Sequence, residues 1–279
     1  MENIFVNGSN KIRSIWWIPI FFILLTLFLL PTILIAQKLF VEVSIPLQAL
    51  LIILVTIICQ LLRRESITAT TGKFNVGWLE QLFTGLVIGA ALMVLPAIIL
   101  TVSGLVNWQV NNTSYSVILP GLAVFVAVAI VEELLFRGFI FQRLIESFGE
   151  WPAQLIIAGM FLLTHIDNPG MAGNILVTAS LNIFIASILF GLAYIKTGNL
   201  AMPIGIHFMA NWVQGTILGF GVSGNEAPGI LKPQLVKAPE WLTGGAFGVE
   251  ASLFGLVILL VVTLAFYSWF PSQIKNRRK

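Results

Sequence analysis

The residues of this chain that can do chemistry are few, and most of them lie inside or at the ends of apolar runs. The sequence has only two histidines, His165 and His207, and each falls in or at the end of such a run. An adjacent acidic pair, Glu132 and Glu133, closes the apolar run 117–131. An ionisable group inside a membrane span costs about 2.5–3.5 kcal/mol on insertion scales, so each is a functional hypothesis by default.

Helical spacing separates the roles of the two glutamates. Glu133 and Arg137 are four residues apart in the favourable acid-before-base order, which predicts an ion pair on one helix face. Glu132 lies about 100° further round the helix and has no such partner. We therefore expect Glu133 and Arg137 to support the site, and Glu132 to be free to act on water.

The same spacing recurs in two later apolar runs. Phe161 and His165 are four apart, and so are His207 and Asn211. Residues at this spacing share a helix face, and polar faces inside a bilayer are driven together. We expect three helices to bring these groups to a common site.

This set of groups suits hydrolysis of a carbonyl compound such as a peptide bond. A carboxylate in a dry site takes a proton from water near neutral pH, and a histidine positions that water. A second histidine and an asparagine can stabilise the oxyanion. The predicted catalytic residues are Glu132, His165, His207 and Asn211, with Glu133, Arg137 and Phe161 in support.

Two other hydrolytic mechanisms would use a hydroxyl nucleophile or a bound zinc ion. Thr164 and Ser187 are poor candidates for a nucleophile, because hydroxyls on helices usually bond back to helix carbonyls. Glu132, His165 and His207 would suffice to bind zinc with one position open. The chain has no H-E-x-x-H helix, so we favour water activated without a metal, and no cofactor.

Two readings without hydrolysis remain open. The acidic pair alone could be an interfacial charge cluster at the end of a span. Buried glutamates and histidines also form proton relays, which would make the protein a proton-coupled transporter. The sequence has no evident inverted repeat of the kind many transporters carry.

Composition requires lipid as the solvent for much of the chain. Of the 279 residues, 58% are hydrophobic and 10% are charged, where soluble domains carry about 25% charged residues. The net charge of +3 is too small to indicate nucleic acid as a partner. The single cysteine, Cys59, excludes an internal disulfide and any two-cysteine metal site.

Apolar runs predict an all-α, polytopic membrane protein of one domain, 1–279, with about eight transmembrane helices and the active site within the membrane. The predicted spans are 15–36, 45–62, 81–104, 116–136, 152–166, 175–195, 199–220 and 250–270. The segment 221–249, rich in Gly, Pro and Trp, is predicted to be a surface loop or an interfacial cap.

Basic residues support this topology with both termini in the cytoplasm. Eight crossings place 12 of the 15 basic residues on the cytoplasmic side, including the tail Arg277-Arg278-Lys279. Seven crossings would put that tail outside.

Three motifs in order resemble a known family. Glu132-Glu133-Leu134-Leu135-Phe136-Arg137 reads E-E-x-x-x-R, 161–165 reads F-x-x-x-H, and 207–211 reads H-x-x-x-N. Together they resemble the CPBP family, which includes type II CAAX prenyl endopeptidases and bacteriocin-processing or immunity membrane proteins. The resemblance covers about residues 118–215, the predicted catalytic core helices.

The resemblance implies an eight-helix intramembrane protease. By it, Glu132 and His165 would activate water, His207 and Asn211 would stabilise the oxyanion, and Glu133 and Arg137 would organise the site. The implied partner is a membrane-associated peptide or a prenylated C-terminus. A non-catalytic immunity-type scaffold on the same fold stays open, and short loops favour a bacterial plasma membrane. The sequence does not indicate the oligomeric state.

Overall fold

The computed structural model describes residues 4–9, 11–111 and 114–269, and this part of the chain is mostly helical. Two short π-helices, Leu134–Ile140 and Val213–Ile217, continue the helices Ile118–Glu133 and Ala201–Trp212. In the described residues the α-helices are α1 Trp17–Lys38, α2 Ile45–Arg63, α3 Thr68–Thr71, α4 Val76–Val102, α5 Ile118–Glu133, α6 Phe141–Phe148, α7 Glu150–Leu163, α8 Leu176–Thr197, α9 Ala201–Trp212, α10 Glu240–Thr243 and α11 Leu253–Trp269.

Within the described residues, five helical segments are long and apolar enough to cross a membrane: Ser14–Lys38, Ile45–Arg63, Val76–Val102, Ile118–Phe148 and Gly173–Thr197. Two shorter apolar helices are Glu150–Leu163 and Leu253–Ser268. Each of the eight predicted spans overlaps a helix, but only these five have the required length, so eight crossings remains a prediction. The basic tail and residue 270 lie outside the described residues, and the predicted position of the termini stays a prediction with them.

The described chain is mostly helical, as predicted, and two segments add a small antiparallel sheet that was not predicted. Strand β1 (Val106–Val110) pairs with β2 (Leu231–Leu235), with Val106 opposite Leu235 and Val110 opposite Leu231. Both strands lie in connections between apolar helices, and their partners are more than 100 residues apart in sequence. A five-residue strand with so distant a partner leaves little local signal.

The segment 221–249 is more than an exposed loop. It contains β2 and α10, and the side chains of Val222, Phe247 and Val249 are buried. Gly224 also donates a backbone hydrogen bond to Phe247, so the two ends of the segment are joined. The segment is thus part of the packed protein, and some of its residues reach the site described below.

Close backbone contact between α4 and α9 fixes the helix that carries His207. A Cβ added at Gly85 or Gly89 would collide with the carbonyl oxygens of Met202 or Ile206. The G-x-x-x-G spacing in α4 therefore lets the two helices approach as small residues do in membrane proteins. His207 projects from a different face of α9, because it lies about 100° round the helix from Ile206.

Candidate active site

Both glutamates stand at the end of α5, where the helix changes its winding. Glu133 is the last α-helical residue, and the π-helix Leu134–Ile140 follows with a break at Gly138, whose ψ is −111°. The second π-helix begins one residue after Trp212, directly behind His207 and Asn211 on α9. Such π segments occur frequently at functional sites, where they reposition side chains.

Glu133 is held from two sides and is fully buried. Its Oε1 accepts a hydrogen bond from Arg137 Nη1 at 3.1 Å and lies 2.8 Å from His207 Nδ1. Arg137, also fully buried, donates through Nη2 to Ser187 Oγ at 2.6 Å and to the Ser187 carbonyl at 3.1 Å. The ion pair expected from the spacing is formed, and it orients a catalytic candidate, His207.

Aromatic rings enclose this buried charge. The Arg137 guanidinium lies 4.7 Å from the ring centre of Phe161 and 5.1 Å from that of Phe190. Phe190 also stacks on His207, with ring centres 5.0 Å apart and planes 9° from parallel. A guanidinium over aromatic faces is attracted by their quadrupoles, so these rings stabilise the arginine while excluding water from it.

Glu132 is placed differently, although it is the neighbouring residue. Its Oε2 lies 4.0 Å from His165 Nε2 and 3.8 Å from His207 Nε2. Both separations are longer than a hydrogen bond, and this oxygen has no hydrogen-bond partner among the residues the structure describes. Separations above 3.5 Å between polar atoms are those that a bridging water spans.

His165 does not lie on a helix, as its predicted span implied, but in the turn that follows α7. The helix ends at Leu163 with Thr164 as its C-cap, and residues 164–167 form a turn. The turn still brings His165 Nδ1 within 2.7 Å of the Phe161 carbonyl oxygen. Because that oxygen can only accept, Nδ1 donates to it, and Nε2 is the nitrogen that lies near Glu132.

Glu132, His165 and His207 are the residues that could hold a metal ion at this site. The residue types suit zinc, but a tetrahedral site with bonds of about 2.0–2.1 Å places its ligand atoms about 3.4 Å apart. The separations of 4.0 and 3.8 Å are wider, and no group of three His, Cys, Asp or Glu in the described chain is arranged to hold a metal. The spacing fits a hydrogen-bonded water better than zinc.

A cavity of about 770 Å³ opens at these groups. Asn211 lines it one turn beyond His207, and its side-chain amide makes no hydrogen bond to a described residue. The structure thus brings together all four predicted catalytic residues: Glu132, His165, His207 and Asn211. Much of the remaining wall is apolar and comes from helices before the site, including Leu25, Ile52, Leu92 and Val128.

Sequence reasoning missed several residues around the site. Glu250, in the turn Val249–Ala251 before the last apolar helix, accepts at Oε1 from Ser223 N at 2.7 Å and from Gln214 Nε2 at 3.0 Å. Burial raises the pKa of the Glu250 carboxyl, and the hydrogen bonds from Ser223 and Gln214, with the nearby His165, offset only part of this effect. The sequence signal that could have identified Glu250 is its position directly before an apolar run, whereas Glu132 directly follows one.

The two hydroxyls considered as nucleophiles are engaged elsewhere. Ser187 Oγ accepts from Arg137, and Thr164 Oγ1 donates to the Phe161 carbonyl at 2.9 Å. The threonine thus bonds back to its own helix, as helical hydroxyls usually do.

Comparison with known proteins supports the resemblance found in the motifs. Residues 114–213 match a family model described as type II CAAX prenyl endopeptidase Rce1-like. The matched segment contains the four predicted catalytic residues, Glu132, His165, His207 and Asn211. It also contains the predicted supporting residues Glu133, Arg137 and Phe161. No curated protein and no solved structure matched the chain. Over residues 114–213 this chain is therefore similar to the Rce1-like type II CAAX prenyl endopeptidases, the resemblance that its three motifs indicated.

Proposed function

We propose that the protein is an intramembrane endopeptidase that cleaves a membrane-associated peptide with water activated by Glu132. The observation that carries this proposal is the position of Glu132 Oε2, 4.0 and 3.8 Å from the Nε2 atoms of two histidines, with no hydrogen-bond partner among the described residues. A water molecule at this point would be held and deprotonated beside a large, mostly apolar cavity.

The first step is attack by that water. Its two hydrogens are donated to Glu132 Oε2 and to the free lone pair of His165 Nε2, which turns its own lone pair towards the substrate carbonyl carbon. As the O–C bond forms, one proton passes to Glu132. The carbonyl π electrons move to oxygen, giving a tetrahedral oxyanion.

His207 and Asn211 are placed to stabilise that oxyanion. Glu133 accepts at His207 Nδ1, so it stabilises a second proton on the ring and makes Nε2 a donor. With His207 protonated, the charges of Glu132, Glu133, Arg137 and His207 sum to zero, which a low-dielectric site favours. The amide of Asn211, which bonds no described residue, supplies a second donor.

Collapse of the intermediate completes hydrolysis. The oxyanion electrons re-form the carbonyl, the C–N bond breaks, and Glu132 returns its proton to the leaving nitrogen. The products are a new carboxyl end and a new amino end, and Glu132 is regenerated as the carboxylate. No covalent intermediate with the protein is required.

The test compares membrane peptides in cells that produce the wild-type protein or Glu132→Gln at equal levels. Wild type should yield peptide termini that are absent from the variant, and purified wild type in liposomes should reproduce these cuts. Cleavage by Glu132→Gln at the wild-type rate would overturn the proposal. Unchanged cleavage after removal of metal ions by a chelator would exclude an essential zinc.

A further inference from the structure

The segment that follows the second π-helix contributes a carboxylate to the cavity of the proposed active site. Glu250 lines the same cavity as Glu132, and so do Ser223 and Glu226. The backbone carbonyl of Glu250 accepts a hydrogen bond from Asn182 Nδ2 at 2.7 Å, which fixes the turn Val249–Ala251 against α8. The Glu250 side chain is therefore a fixed part of the wall.

Among the described residues, hydrogen bonds reach only one oxygen of this carboxylate. Oε1 accepts from Ser223 N, from Gln214 Nε2 and, at 3.3 Å, from Ser223 Oγ. These are the hydrogen bonds that the Glu250 carboxylate makes with described residues, and none of them involves Oε2. A rigidly held carboxylate that lines a cavity and has one oxygen unused by the described residues is suited to bind a donor from a ligand.

The charges around the cavity favour a cation as that donor. Its described lining includes three carboxylates, those of Glu132, Glu226 and Glu250, against two histidines, His165 and His207, and contains no lysine or arginine. Arg137 does not line the cavity and is paired with Glu133. A partly dry carboxylate with no lysine or arginine in the cavity wall gains from a ligand that brings one.

Gln214 sets the distance between Glu250 and the proposed chemistry. It lies seven residues after His207 along α9 and its π extension, and it bonds Glu250 twice, since Gln214 Oε1 also accepts from Glu250 N at 3.1 Å. Seven residues at 1.5 Å each span about 10 Å of helix. An extended substrate covers that distance in about three residues.

We infer that Glu250 is a specificity-determining residue that binds a lysine or arginine of the substrate about three residues from the scissile bond. The inference rests on the proposed protease function and deepens it by naming a substrate class. A peptide with an internal basic residue fits this cavity, whereas a free terminal carboxylate placed beside Glu250 would be repelled.

The experiment uses purified full-length wild type in detergent micelles and a library of randomised peptides that carry an N-terminal acyl anchor. Products are identified by mass spectrometry. Wild type should enrich lysine or arginine over glutamine by at least about tenfold at one position within about three residues of the cut. Glu250→Gln should reduce that enrichment to about twofold or less and still cleave, while the exposed control Glu240→Gln should keep it.

Each other outcome counts against the inference. Cuts by wild type with no basic preference would overturn it while leaving proteolysis intact, and this arm depends on no variant. An equal loss of all cuts in Glu250→Gln and in the milder Glu250→Asp, with preference unchanged among residual products, would make Glu250 purely structural. Absence of any cut by wild type would overturn the proposed function itself, and the inference with it.

Discussion

The side chains of Glu132 and Glu133 at the end of α5 lie in opposite environments, although the two residues are neighbours in the chain. The Glu133 side chain is 0% exposed and contacts Arg137 and His207. The Glu132 side chain is 25% exposed, and its Oε2 has no hydrogen-bond partner among the described residues. A rotation of about 100° per residue is enough to turn one carboxylate into packing and the other into a cavity.

This contrast separates the residues that stabilise the fold from those that are proposed to act on the substrate. On the packed side, every buried charge is compensated, so removing one partner leaves another uncompensated at high cost. On the cavity side, the side chains of Glu132 and Asn211 make no hydrogen bonds to the described residues. Substitutions on the packed side should therefore lower both stability and activity, and those on the cavity side should lower activity alone.

The largest effect should follow from Arg137→Met on the packed side. The variant leaves Glu133 as a buried charge, which costs about 3–5 kcal/mol when a partner is removed. We expect a lower thermal midpoint in detergent and loss of cleavage. Lys73→Met, which removes an exposed charge, is the matched control and should change neither. A thermal midpoint for Arg137→Met equal to that of Lys73→Met would show that the buried pair does not stabilise the fold.

A smaller effect, confined to activity, should follow from Asn211→Ala on the cavity side. Loss of one oxyanion donor typically lowers kcat by about 10²–10³-fold. The thermal midpoint should stay at the wild-type value, because the amide bonds no described residue. Asn107→Ala, on the exposed face of β1, is the control. Full kcat in Asn211→Ala would remove this residue from the oxyanion site.

Local spacing was enough to predict the core of the site. The four-residue separations gave the pair Glu133–Arg137 and the shared face of His207 and Asn211, and the rotation between neighbours separated Glu132 from them. These relations depend on helix geometry alone, so a single sequence contains them.

What the sequence could not supply depends on contacts between distant segments. Glu250, Ser223 and Gln214 meet through folding of the segment after α9, and β1 pairs with a strand more than 100 residues away. The π windings after Glu133 and Trp212 leave no hydropathy signal, since they change local winding without changing composition. Eight crossings stays a prediction, since five helical segments of the described residues have spanning length and the apolar helices Glu150–Leu163 and Leu253–Ser268 are shorter.

The most direct test sets Glu132→Gln against Glu133→Gln in purified protein, with cleavage rate and thermal midpoint measured on the same samples. We expect Glu132→Gln to lose about 10²–10⁴-fold in rate at an unchanged midpoint, because only the general base is removed. Glu133→Gln should lower the midpoint as well as the rate, since Arg137 loses its buried counter-charge. Wild-type cleavage by Glu132→Gln, or an equal fall in midpoint for both variants, would contradict the division between the two carboxylates.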